Sequence, residues 1–142
     1  MIRVILGIDH VGLATDDPGA AGAFMAILGM DKAGQGVADS YGVACEFWQY
    51  SGGTDGVAIE IVSPVRENSA VTGRLSRSGP GLYHIAFAVD DIEAELDRLR
   101  RNGFSAVDAR PCQGARTGMR VAFMYLRRPT GVLIELVQHE PP

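Results

Sequence analysis

The chain has 142 residues and a formal net charge of −4, with 46% apolar and 21% charged residues. That is enough chain for one domain with a real core and an ordinary composition for a globular protein. The acidic balance argues against nucleic acid or an anionic membrane as the main partner.

Residues 1–7 are too short a stretch, and too soon interrupted by Asp9, to be a signal peptide, and no apolar run approaches the ~20 residues of a membrane span. Cys45 and Cys112 make neither a disulfide framework nor a zinc spacing, so a cytosolic, reducing location is expected.

In chain order, residues 4–14 read as a strand. Asp16-Asp17-Pro18 then gives a helix start, with Asp as N-cap and Pro in the first turn. Residues 20–28 read as helix and Gly29 as its stop. Strands follow near 32–38, 43–50 and 57–62, and residues 65–80 form a linker with a short helix. The pattern then restarts with a strand at 82–89. Asp90 is expected to cap the next helix, with Glu93 completing a capping-box-like pattern. Ile92, Leu96 and Leu99 form its apolar stripe, while Glu95, Arg98 and Arg101 are expected to face water. Asn102-Gly103 ends it, and strands follow near 105–109, 120–125 and 132–137.

This order is a duplication. Residues 10–29 and 84–103 share six identities in 20 ungapped positions, and residues 56–62 and 131–137 share five in seven. Chance gives about one match in twenty. The period of ~75 is too long for a solenoid repeat. It fits two copies of one supersecondary module, the first spanning about 1–64 and the second about 81–142 within a single domain 1–142. The expected fold is α+β: two paired βαβββ modules whose eight strands curl into an open, barrel-like sheet.

Each module contributes one His from its first strand, His10 or His84, and one Glu from its last, Glu60 or Glu135. A lone strand His is more often a satisfied polar residue, and a lone Glu is usually solvated. Here each Glu lies in an apolar strand, Ala-Ile-Glu-Ile-Val and Leu-Ile-Glu-Leu-Val, where an unpartnered carboxylate is costly. Delivered twice, the pair points to one shared site. Two His and two Glu suit a divalent Mn, Co, Ni, Fe or Zn ion, and on an octahedral ion they leave two positions for water or substrate.

Four segments carry a family resemblance: residues 8–14 (Ile-Asp-His-Val-Gly-Leu-Ala), 81–94, 120–123 (Arg-Val-Ala-Phe) and 131–138. The chain resembles the vicinal oxygen chelate superfamily, which includes glyoxalases, bleomycin-resistance proteins and extradiol dioxygenases, and within it most resembles the methylmalonyl-CoA epimerase branch. The resemblance implies paired βαβββ modules, a metal at His10, Glu60, His84 and Glu135, a small-molecule substrate and often a homodimer. It also implies an enzyme that stabilises the enolate of an acyl thioester or oxo-acid. Two carboxylate bases flank that enolate in the epimerase pattern. Glu135 matches one and doubles as ligand. Ser40, in Asp39-Ser40-Tyr41-Gly42-Val43, stands where the other is expected, and a Ser is no general base at pH 7 without help. Asp39 is adjacent, but alternation sends it to the other face unless the strand bulges. Glu46 shares the parity of Ser40 along an extended strand and is the candidate replacement base; solvation on the strand surface is the competing reading.

Arg116, in a loop longer than the epimerase pattern, is a candidate partner for a substrate carboxylate. Cys112 lacks an activating partner and reads as a plain thiol. His139, beside the Pro141-Pro142 end, reads as uninvolved. Two further functions share the framework: a glyoxalase I-like lyase, which also uses a His-Glu-His-Glu site, and a metal-free drug-binding resistance protein or divergent natural-product biosynthesis member. A dioxygenase fits less well, since those enzymes typically use two His and one carboxylate.

Overall fold

The computed structural model describes residues 5–51 and 56–140; Val4 and the Pro141-Pro142 end, named above, lie outside them. The chain runs β1 (Ile5–Ala14), α1 (Pro18–Ile27), β2 (Asp31–Ala38), β3 (Val43–Gln49), β4 (Ala58–Pro64), α2 (Thr72–Ser78), β5 (Gly81–Val89), α3 (Ile92–Arg101), β6 (Ser105–Ala106), β7 (Cys112–Gln113), β8 (Met119–Leu126) and β9 (Val132–His139). One mixed sheet orders these as β2-β3-β4-β1-β5-β9-β8-β6, with β7 also paired to β8. Among the described residues the sheet therefore has nine strands rather than eight. The long loop before β8 contributes the extra one, a two-residue bridge from Cys112 and Gln113 to Val121 and Arg120.

The duplication shows in the pairing. β1 pairs antiparallel with β5 at the centre, and each runs parallel to its own module's last strand, β1 to β4 and β5 to β9. His10 faces Ala86 and Gly12 faces His84 across the centre, a reciprocal pair about a local two-fold axis. Two register shifts keep the same symmetry. Asp9 is an extra residue in β1 just before His10, and Tyr83 an extra residue in β5 just before His84. Each is a β-bulge, which re-aims a side chain.

Local chemistry sets the helices. The Asp17 carboxylate accepts from the Ala20 amide with Pro18 in the first turn, and Gly29 leaves α1 at positive φ (+86°). At α3 the cap is Asp91 rather than Asp90, accepting from the Ala94 amide, so Glu93 falls outside the capping-box position. Glu95 also departs from expectation: it is fully buried. The spacing 92, 95, 96, 99 places it inside the apolar stripe, and its charge is met by Arg98 one turn on.

The outer face of the sheet packs against α1 through Met25, Met30 and Ile61, and against α3 through Ile92, Leu96, Leu99, Met124 and Leu136. The concave face holds a third cluster, including Val43, Cys45, Phe47, Val62, Met119 and Val121. The site lies on that concave face. Among the described residues, no helix is long and apolar enough to cross a membrane.

Candidate metal centre

His10, Glu60, His84 and Glu135 converge, each buried, with one ligand-type atom from each lying within 4.8 Å of all the others. His10 Nε2 is 3.1 Å from His84 Nε2, 2.8 Å from Glu135 Oε1 and 3.3 Å from Glu60 Oε1. His84 Nε2 is 3.2 Å from Glu60 Oε1 and 3.3 Å from Glu135 Oε1.

Two observations fit a cation at this point. Donors about 2.1 Å from one ion stand about 3 Å from their neighbours, which is the spacing of these five contacts. Hydrogen bonds alone also serve the cluster poorly. Each Nε2 has one proton direction and three polar neighbours, and Glu135 Oε1, though close, is out of line and has no hydrogen-bond partner. Without a metal, the imidazoles take up protons instead. Burial disfavours the His10 cation, but Asp9, Glu135 and Glu60 override it and push its pKa up to about 12; His84 rises to about 9 by the same opposition of burial and carboxylates. Burial likewise works against the Glu60 carboxylate, and the two histidines beside it hold its pKa well below the usual range.

The supporting residues repeat as well. Phe47 lies opposite Glu60 on β3 and meets His10 edge-on at 5.7 Å between centroids. Phe123 lies opposite Glu135 on β8 and meets His84 edge-on at 5.2 Å. Gly12 leaves room for His84: a Cβ there would sit 2.2 Å from its Cε1. Beside the cluster is a small recess whose lining includes Glu60, His84 and Glu135. Its walls are mostly apolar, among them Val43, Val62, Met119 and Val121, with Tyr41 and Tyr83. The Tyr41 hydroxyl donates to Asp108 at 2.7 Å, and burial with that carboxylate pushes its pKa far up. The Cys45 thiol, also in the wall, is pushed up by burial and by Glu60 and Glu135. Ala115 roofs the recess, its carbonyl packed on Gly36 of β2, so the two modules close over the site together.

The other residues named from sequence separate. Glu46 is not brought to the site. It accepts from the Trp48 indole at 3.0 Å and faces Gly22 of α1, on the outer side. Ser40 is exposed in the turn 39–42 and does not line the recess. That turn breaks the strand, so parity with Ser40 says nothing about Glu46; alternation within β3 sends Val43, Cys45 and Phe47 inward and Glu46 outward. Arg116 does reach the site's edge: its guanidinium lies 3.9 Å over the Phe47 ring, with Nη2 3.6 Å from Asp9. Cys112 sits half-exposed on β7 with its thiol toward the Arg110 carbonyl.

Three residues escaped the sequence reading. Asp9 Oδ2 is 2.7 Å from His10 Nδ1, and its Oδ1 is 2.7 Å from Nε2 of His139, which is thus not uninvolved. Gly12 is the third. Each sits where the two modules differ: Asp9 matches Tyr83, Gly12 matches Ala86, and His139 lies past the end of the repeat.

A family model described as Glyoxalase/Bleomycin resistance protein/Dioxygenase superfamily matches residues 9–123. The chain belongs to that superfamily. Ethylmalonyl-CoA/methylmalonyl-CoA epimerase of Cereibacter sphaeroides is 29% identical over 133 residues, 92% of this chain and 96% of that one. The crystal structure of methylmalonyl-CoA epimerase from Mycobacterium tuberculosis superposes with a TM-score of 0.86 at 30% identity, covering 99% of this chain and 94% of that one. A Streptomyces coelicolor methylmalonyl-CoA epimerase variant in complex with 2-nitronate-propionyl-CoA superposes with a TM-score of 0.85 at 29% identity, covering 96% and 99%. The expected superfamily and its α+β fold are thereby established.

Proposed function

We propose that this protein is a metal-dependent epimerase- or isomerase-like enzyme acting on an acyl thioester, in the manner of the methylmalonyl-CoA epimerases it resembles. The observation that carries the reading is the buried His10–Glu60–His84–Glu135 cluster at the floor of an apolar recess. A divalent ion there supplies a Lewis acid that lowers the cost of enolising a carbonyl compound. The residues of the chain do the rest. The apolar walls exclude water and seat the acyl group. Glu135, at the floor, takes the proton next to the carbonyl. Arg116, at the edge and one-third exposed, is available to an anionic group of the substrate.

A glyoxalase I-like isomerase is the second reading, and one observation favours it. Among the described residues, the carboxylates lining the recess are Glu60 and Glu135 alone, both of the proposed ligand set, with neither Ser40 nor Glu46 present to add a separate base. An intramolecular proton shift needs one base, whereas the epimerase pattern calls for two.

The exposed apolar residues Phe24 and Ile27 on α1 and Leu6, Ile8 and Leu82 on the central strands suit a homodimer, which sedimentation tests. The two free thiols suit a reducing, cytosolic location.

The deciding experiment is solvent-deuterium exchange on methylmalonyl-CoA with metal-loaded protein. Deuterium should enter at the α-carbon, and stripping the metal or replacing His10 with Ala should stop it. Stoichiometric metal without any wash-in would reject the thioester reading, and turnover of a glutathione hemithioacetal would establish the alternative.

A further inference from the structure

Two copies of one module should hold their histidines alike, and these do not. Each histidine follows the extra residue of a bulge, Asp9 in β1 and Tyr83 in β5. Without the bulge, alternation would turn residue 9 away from His10. With it, the Asp9 carboxylate reaches His10 Nδ1 at 2.7 Å. Tyr83 offers His84 only an edge-on ring at 5.2 Å, and His84 Nδ1 is buried without a hydrogen-bond partner.

Asp9 is itself held from two other elements. His139, at the end of β9, donates to its second oxygen, and Arg116, from the loop before β8, lies 3.6 Å from the first. The Asp9 side chain is only 14% exposed, and a buried carboxylate without partners would be unfavourable.

We propose that Asp9 is a positioning residue of the metal centre: it fixes His10 with Nδ1–H donating outward and Nε2 toward the other three ligands, and His139 holds Asp9 in that pose. The inference rests on the metal-centre reading above. A carboxylate behind an imidazole sets its tautomer and strengthens it as a ligand. Among the described residues, His84 has no such group behind it. The two histidines are therefore unequal donors, His10 the firmly oriented one and His84 backed on its Nδ1 side by packing alone.

The test is Co²⁺ titration of metal-stripped protein against a competing chelator. The visible cobalt absorption and the ¹⁵N shifts of the His10 ring are followed alongside. Asp9→Asn should weaken Co²⁺ binding about 10–100-fold, in the range of lost outer-shell partners, and should change both the cobalt spectrum and the His10 nitrogen shifts. A merely structural clasp between β1 and β9 would lower the melting temperature and leave those spectra alone. Tyr83→Phe should leave affinity and spectra as in the wild type. His139→Gln, at a half-exposed position that does not threaten folding, should shift both in the direction of Asp9→Asn by less. Wild-type affinity in Asp9→Asn or in His139→Gln, or equal weakening in Tyr83→Phe, would overturn the proposal. Failure of the wild-type protein to take up Co²⁺ would instead overturn the metal-centre reading beneath it.

Discussion

Gly12→Ala is the sharpest test of how the site is packed. The added Cβ would lie 2.2 Å from His84 Cε1, 2.4 Å from Nδ1 and 2.8 Å from Nε2. Carbon atoms in contact sit about 3.5–4.0 Å apart, so the imidazole would have to retreat by more than about 1 Å. Three rings crowd it, those of His10, Tyr83 and Phe123, each 5.2 Å away between centroids, so the space left is the recess, away from its place in the cluster. Overpacking of this kind costs about 1–3 kcal/mol, a fall in melting temperature of roughly 3–10 °C for a chain of this size. The effect on the metal should be larger. Ligand distances are held to within about 0.2 Å, so the displacement removes His84 as a ligand, and Co²⁺ affinity should fall by more than the ~100-fold upper range for an outer-shell loss. The symmetry supplies the control. Ala86, facing His10 across the same axis, carries a Cβ without harm, so Ala86→Gly should cost only about 1 kcal/mol of strand stability and spare the metal. A Gly12→Ala protein that bound Co²⁺ as the wild type does would refute the geometry of the His84 contact.

Other consequences are equally direct. In the metal-free protein the pKa of His84 stands at about 9 and that of His10 at about 12, both above the ordinary 6.5. Their stabilisation is thus complete below pH 6.5 and lost as pH rises through about 9 and above: metal-free protein should melt at lower temperature at pH 10 than at pH 7, while its affinity for metal rises over the same interval. Calorimetry in two buffers of different ionisation enthalpy should show protons released on metal uptake at pH 7. Gly36→Ala would bring a Cβ to 1.9 Å from the Ala115 carbonyl oxygen, backbone against backbone; residues 114–117 should lift from β2 and exchange their amide hydrogens faster. Glu95 is buried with one carboxylate oxygen unpartnered, while Arg98 is 42% exposed; Glu95→Leu should therefore stabilise by about 1–4 kcal/mol, and a lower melting temperature would count against that account.

The four-residue cluster was legible because the chain states it twice. His10, Glu60, His84 and Glu135 sit at matching places in two strongly patterned strands, and each carboxylate stands in an apolar run that only a partner explains. The same alternation misled wherever the backbone departs from a straight strand. Asp9 is adjacent to His10 and by simple parity faces away from it; a bulge that leaves no mark in the sequence turns it inward. Glu46 suffered the reverse error, because parity was counted through the turn 39–42, where Gly42 takes a positive φ of 66°. Gly12 and Ala86 look interchangeable as small strand residues, yet only one lies under an imidazole that fills the space of a Cβ. Glu95 was judged by its charge when its spacing already placed it in the buried stripe.

Electrostatics tie these exceptions together. In the proposed metal centre Glu60 and Glu135 balance a divalent ion, which leaves the Asp9 charge to be met by other groups. His139 meets it closely, at 2.7 Å, and Arg116 loosely, at 3.6 Å while stacked on Phe47. The difference matters for substrate. A cation held in a tight bidentate pair with Asp9 would have little left for a second anion. Arg116 is poised on an aromatic face instead, beside a carboxylate already satisfied by two histidines, and so keeps donors free at the edge of the site. The asymmetry between the modules thus separates two tasks within one cluster: Asp9 and His139 orient the first histidine, and Arg116 remains available to whatever anionic group enters.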